Sequence, residues 1–194
     1  MKSKLVIIFV VICCVLSACS RSVPNDGNTE TYIIPCSYFE FTGSEISDAV
    51  ASCLSLGDAF CTEAKEVPEG MQLKLTDKQL ENLIQRNNEF IKDLADKLED
   101  SNSLYKFVMD DSYKNLTLYF DENIPSTLQV QTILGIASYY GMNYMLLNNT
   151  VEWNVQIEIF NCHTNKLVAS VNIPDEEISY GAKDWEESYN VGGN

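Results

Sequence analysis

A single histidine, His163, stands beside Cys162 in a chain of 194 residues, and this pair is the first place to look for a nucleophile and its base. A thiol–imidazole dyad needs side chains within ~3 Å of each other, normally delivered by separate segments. Cys162 and His163 are adjacent in an expected hairpin turn, and neighbours at a strand end point to opposite sides, so both are read as turn residues. A Ser-x-x-Lys spacing at Ser103 and Lys106 falls on an expected strand, where a step of three again separates the side chains. The Ser-Asp-Asn and Lys-Thr-Gly signatures that accompany that spacing in acyl-enzyme chemistry are missing. One histidine does not build a histidine-rich zinc or iron centre. The acidic pairs Asp110-Asp111, Asp121-Glu122 and Glu176-Glu177 lack the alternating oxygen spacing of a calcium loop. There is no phosphate-cradling glycine loop and no dinucleotide fingerprint. The residues therefore nominate no catalytic group, no metal centre and no cofactor.

Thiols and aromatic rings are what remains. Of seven cysteines, Cys13 and Cys14 lie in an apolar N-terminal run and Cys19 just after it. Cys36, Cys53, Cys61 and Cys162 form an even set, compatible with two disulfides in any of three connectivities or with buried free thiols. No Cys-x-x-Cys pair occurs, which argues against a redox centre and a zinc knuckle. Tyr139, Tyr140, Tyr144 and Trp185 are candidates to line a peptide or sugar groove, since such rings bury area while keeping a polar handle. Tyr139 and Tyr140 diverge by about 100° on a helix, so at most one faces the core. Trp153, on the apolar face of a strand, is read as core.

The N-terminus carries an address. Lys2 and Lys4 precede an unbroken apolar or thiol-bearing run, Leu5 to Leu16, and Ser17-Ala18 supplies small residues for a peptidase cleft. As a helix the run would reach roughly 18 Å, well short of a ~30 Å hydrocarbon core. Leu16-Ser17-Ala18-Cys19 resembles the lipobox of bacterial lipoproteins. The resemblance implies a diacylglyceryl group on the Cys19 thiol, cleavage just before it, and a mature chain held by acyl chains. Ser20 follows, not Asp, which implies the outer membrane in a two-membrane cell and the outer face of the plasma membrane otherwise. The other reading is a secretory signal cut after Ser20; only then would the sequons Asn115-Leu116-Thr117 and Asn148-Asn149-Thr150 matter.

Removing residues 1–18 leaves 176 of 194, enough for one domain with a real core. Those 18 carry two of the 13 Lys+Arg and none of the 28 Asp+Glu, so the formal charge moves from −15 to −17. Such a surface repels nucleic acid and anionic headgroups and would steer in a basic protein partner or cations. Ser20 to Thr31, with Pro24 and Asn25-Asp26-Gly27-Asn28, is expected as a flexible tether over residues 19–31, spanning ~20 Å on average. The remainder, 32–194, is expected as a single domain with an acidic C-terminal tail.

Stepping along that domain, Tyr32 to Phe41 has strand composition interrupted by Pro35, hence an edge strand. Ser44 offers a cap to a helix carrying Cys53 and Cys61; if it is continuous these lie about 12 Å apart, and if Gly57 opens a turn a local bridge is within reach. Thr76-Asp77-Lys78-Gln79 is a capping box, followed by a stripe of Leu80, Leu83, Ile84, Ile91, Leu94 and Leu98 crossed by Asn87. Leu104–Met109 and Leu116–Phe120 read as a hairpin, Pro125 as the start of a helix that stops near Gly141, and Val151–Phe160 as a strand with one wet face. Leu167 to Ile173 returns beside it. The expected fold is α+β: a four-stranded antiparallel sheet made of two hairpins, with helices on one face. The expected function is a non-catalytic envelope lipoprotein binding a protein or ligand. A carboxylate-based hydrolase of extracellular polymers and an acidic inhibitor or immunity-type protein are the alternatives.

Overall fold

The computed structural model describes residues 28–121 and 125–189, and these form seven strands and five helices. The signal, Cys19 and most of the expected tether lie outside the described residues. The chain divides into two compact units, one comprising the described part of Met1–Arg86 with Asn149–Val151, the other Asn87–Asn148 with the described part of Glu152–Asn194.

The first unit is built on a three-stranded antiparallel sheet. Its strands are β1 (Thr29–Pro35), β2 (Glu63–Val67) and β3 (Gly70–Thr76), in the order β1-β3-β2. β1 opens at Thr29, so the last residues of the stretch expected as tether are strand. Alternation selects the buried face: Tyr32 and Ile34 on β1, Ala64 on β2, and Met71, Leu73 and Leu75 on β3 are all buried. Tyr32 pairs with Leu73 and Ile34 with Met71 across the ladder. Pro35 closes β1 on the sheet edge, where its missing N–H leaves no bond unmade. Beyond it the expected strand gives way to a helix, α1 (Cys36–Thr42), ended by Gly43 in the left-handed region. The aromatic composition of this segment suggests a strand, but Tyr38, Phe39 and Thr42 fall on one side of a helical turn and are the residues buried. α2 (Ile46–Ser55) follows; it stops at Ser55, and Gly57 turns the chain at φ +76°.

α3 (Asp77–Ser101) begins in the first unit and ends in the second. Its start is the capping box read from the sequence: the Gln79 N–H donates to Thr76 Oγ1 at 3.3 Å and the Thr76 N–H to Gln79 Oε1 at 2.8 Å. Gln79 is itself buried, and its amide also donates to the Asp58 carbonyl at 2.7 Å.

The second unit holds the mixed sheet. Its strands are β4 (Lys106–Met109), β5 (Asn115–Phe120), β6 (Val155–Asn161) and β7 (Lys166–Ile173), in that spatial order. Between β5 and β6 runs α4 (Thr127–Asn148), and α5 (Ala182–Glu187) follows β7. The α+β class holds, but the single all-antiparallel sheet is corrected twice over. A separate three-stranded sheet exists, and the two central strands β5 and β6 pair in parallel. The 22-residue helix α4 is the cause: a crossover returns the chain to the end of the sheet where β5 began, so β6 must run the same way. Leu116, Leu118 and Phe120 of β5 and Val155, Ile157 and Ile159 of β6 share the buried face. α4 also corrects two boundaries. Its cap is Ser126, whose Oγ accepts the Gln129 N–H at 3.3 Å, with Pro125 just before it. The helix passes through Gly141 and ends at Asn148, with Asn149 at φ +45°. Asn87, the polar residue in the α3 stripe, is buried and donates to Asn143 Oδ1 of α4 at 2.7 Å.

The β4–β5 loop is organised by one carboxylate. Asp110 Oδ1 accepts the N–H of Lys114 at 3.0 Å and of Asn115 at 3.2 Å, while Oδ2 accepts Ser112 Oγ at 2.7 Å and Asn115 Nδ2 at 2.6 Å. Burial alone would raise its pKa, but the hydrogen bonds from Ser112, Asn115 and Lys114 outweigh it and hold the carboxyl below its ordinary value. A depressed carboxylate stabilises the fold fully above the unfolded-state pKa of ~3.9 and ceases to do so as pH falls through its folded-state value. Asp110→Asn is therefore expected to destabilise the fold near neutrality, by no more than about 1 kcal/mol because solvent screens the exposed side of the carboxylate. In urea melts the gap to wild type narrows as pH drops below ~3.9; a gap independent of pH would contradict the charge argument.

Candidate functional site

The carboxyl ends of β5 and β6 bring together three side chains of different chemistry. In the parallel register Phe120 faces Asn161, and the Cys162 N–H continues the ladder to the Phe120 carbonyl at 2.9 Å. The next residues, Asp121 and Cys162, thereby stand side by side although they are far apart in sequence. Asn161, fully buried, then shapes the turn into β7. Its carbonyl accepts the Asn165 N–H at 2.8 Å and its Oδ1 the His163 N–H at 2.9 Å, while Nδ2 donates to Ser188 Oγ at 2.7 Å. Asn165 takes φ +54°, a conformation asparagine tolerates better than most residues. The turn directs the His163 ring to Asp121, with Nε2 in hydrogen-bond contact with Asp121 Oδ1.

The donor atoms of Asp121, Cys162 and His163 all lie within 4.8 Å of one another. Asp121 and Cys162 are half-buried, and His163 is exposed. Tyr189 lies against the imidazole, centroids 6.3 Å apart and planes 29° apart, and is itself met edge-on by Trp185. Cys162 also lines a shallow open depression of about 280 Å³, together with Leu104, Lys106, Tyr119 and Asn165. Tyr119 is held there by stacking on Phe160 at 5.5 Å.

The expectation that Cys162 and His163 diverge applies to strand residues; both lie in the turn beyond β6, where strict alternation ends. Burial first, and then the negative charge of Asp121, push the Cys162 pKa up, which favours the neutral thiol. Together the three offer one sulfur, one imidazole nitrogen and one carboxylate oxygen, the donor types of a transition-metal site. In the sequence Asp121 is half of the acidic pair Asp121-Glu122, and only the parallel strand pairing reveals its neighbours.

The other candidate residues are placed elsewhere. Tyr140 is buried and its hydroxyl donates to the Asp110 carbonyl at 3.1 Å; burial first, and then nearby Asp110, Tyr113 and Asp111, raise its pKa. Tyr139 stacks on Phe90 at 5.6 Å, and Lys114 Nζ sits 4.8 Å from the Tyr144 ring. Tyr140 is thus tied to the residues just before β5, whereas Trp185 joins Tyr189 and His163 beyond its far end. The four aromatics do not gather into one groove.

All four described cysteines are free thiols. Because α2 stops at Ser55 and Gly57 turns the chain, Cys61 lies near Cys53, its thiol donating to the Cys53 carbonyl at 3.7 Å. The 12 Å separation of a continuous helix does not apply. The Cys36 thiol donates to the Pro68 carbonyl at 3.6 Å, and Cys162 belongs to the second unit. The chain matches no protein-family model, no curated protein and no solved structure.

Proposed function

We propose that the protein is a cell-envelope lipoprotein, anchored through Cys19, whose folded part is a non-catalytic module for a ligand or a basic protein partner. The observation that carries this reading is Leu16-Ser17-Ala18-Cys19 placed directly after the apolar run Leu5–Leu16. The first described strand starts at Thr29, ten residues beyond Cys19 in the sequence. No helix among the described residues is long and apolar enough to cross a membrane, so in this reading attachment depends on the acyl chains. A formal charge of −17 after signal removal favours a basic partner over nucleic acid or anionic lipid. In this reading the binding end is the one where β5 and β6 run out and Asp121, Cys162 and His163 come together.

Cys19→Ser tests the anchor. In a bacterial host the wild-type chain should incorporate labelled fatty acid and begin at Cys19. The variant should incorporate none and retain its 18-residue signal by mass. A wild-type chain that takes up no label, or that begins at Arg21 after a cut behind Ser20, would overturn the lipoprotein reading.

A further inference from the structure

We propose that Asp121, Cys162 and His163 form a binding site for a borderline-soft divalent cation, Zn(II) in the first instance. The proposal supplies a ligand for the module described above, but it rests on the second unit alone and holds whether or not Cys19 is acylated.

Three observations carry it. The first is the donor set. Sulfur, imidazole nitrogen and carboxylate oxygen together suit zinc or a neighbouring transition metal, whereas calcium and magnesium prefer shells of oxygen. The second is convergence from distant segments. Asp121 and His163 are 42 residues apart in the chain, yet the donor atoms of all three side chains fall within 4.8 Å of one another. The third is pre-organisation by groups that do not themselves offer ligands. The Cys162 backbone is pinned to Phe120, and Asn161, wholly buried, fixes the His163 N–H while anchored to Ser188. Tyr189 flanks the imidazole. Outer groups of this kind orient metal ligands and contribute to affinity.

The exposure of the cluster decides which kind of site it is. A structural zinc site is closed by four protein ligands, whereas three ligands leave a position for water or for an incoming donor. Here the third ligand, His163, keeps 42 % of its side-chain surface, and Cys162 also borders the depression lined by Leu104, Lys106, Tyr119 and Asn165. An ion held by these three side chains would present an open coordination position on the accessible side. The site is therefore one that exchanges its metal, or one where a partner completes the shell with a donor of its own.

The rival account is that Asp121 and His163 merely lock the turn with a hydrogen bond and Cys162 is a bystander. The two differ in whether the thiol and the charge of Asp121 matter. The full chain, reduced, stripped with a chelator and kept in mild detergent, is titrated with Zn(II) by calorimetry and with Co(II) by absorption. Expected are one tight Zn(II) equivalent per chain and a thiolate-to-cobalt charge-transfer band. Cys162→Ser, close in volume, should abolish that band. Asp121→Asn, which can still hydrogen-bond His163, should weaken Zn(II) binding by at least about 10-fold. Circular dichroism identical to wild type shows that the variants are folded. Cys61→Ala, a thiol of the first unit, should leave band and affinity unchanged. Absence of a tight equivalent in the wild type, or wild-type behaviour in both Cys162→Ser and Asp121→Asn, would overturn the proposal.

Discussion

Gly70→Ala is expected to disrupt the three-stranded sheet of the first unit. Gly70 opens β3, pairs with Pro35 of β1 and Val67 of β2, and takes φ +141°, a conformation that L side chains rarely adopt. Space is as restrictive as the dihedral. A Cβ there would stand 2.9 Å from the Cys36 nitrogen and 2.9 Å from the Pro35 carbonyl carbon, with the Ile34 carbonyl oxygen nearer still. These are backbone atoms, so no side-chain rotation relieves the contact. The same corner holds the Cys36 N–H to the Glu69 carbonyl at 3.0 Å, which binds the start of α1 to the β2–β3 turn. A residue forced into such a region costs about 1–3 kcal/mol in strain alone, and moving the backbone of β1 adds to it. The total, about 3 kcal/mol or more, is a large share of the 5–15 kcal/mol that holds a typical domain. Amide exchange along β1 and β3 should accelerate, and the urea midpoint should fall. A variant that keeps wild-type protection at Ile34 and Met71 would show that the corner yields without loss.

Gly70 also shows what single-sequence reading can and cannot see. Val67-Pro68-Glu69-Gly70 followed by Met71, Leu73 and Leu75 alternating with Gln72 and Lys74 is a turn and a half-buried strand in plain view. Its signals are as local as those of the helices on either side. The capping box at Thr76 and the stripe behind it were legible because every signal there is local: side chains three or four residues apart satisfy or bury one another. Asn87 was visible as an interruption of the stripe, but its reason, Asn143, lies on another helix. The pairing of β5 with β6 was not legible at all. Leu116, Leu118 and Phe120 face inward whether the next strand runs parallel or antiparallel, so alternation alone leaves the direction open. The candidate site shares that blindness. Cys162-His163 and Asp121 each stand in the sequence without a partner, and they meet only because two strands end together.

The last expected result turns on a glycine whose meaning reverses between sequence and structure. Glycine near the end of a helical pattern commonly marks its C-terminus, so the sequence predicts that α4 stops near Gly141. It runs on to Asn148, and the glycine is there for close approach. A Cβ at Gly141 would stand 2.7 Å from Cζ3 and 2.8 Å from Cδ2 of Trp153, with Cε3 nearer still, and that indole is only 8 % exposed. On helix propensity alone, alanine should stabilise this position by about 1 kcal/mol. Against that stands displacement of a buried indole, an overpacking cost of about 1–3 kcal/mol. The contact should win, so Gly141→Ala lowers stability. Trp153→Ala alone should cost about 3–5 kcal/mol through the cavity it leaves. In the Trp153→Ala background the methyl gains room, and Gly141→Ala should become neutral or stabilising. The cycle thus predicts a coupling of about 0.5–3 kcal/mol, read from denaturation followed by far-ultraviolet circular dichroism so that losing one of the two tryptophans does not alter the probe. Strict additivity of the two substitutions would mean that Gly141 and Trp153 do not touch in solution.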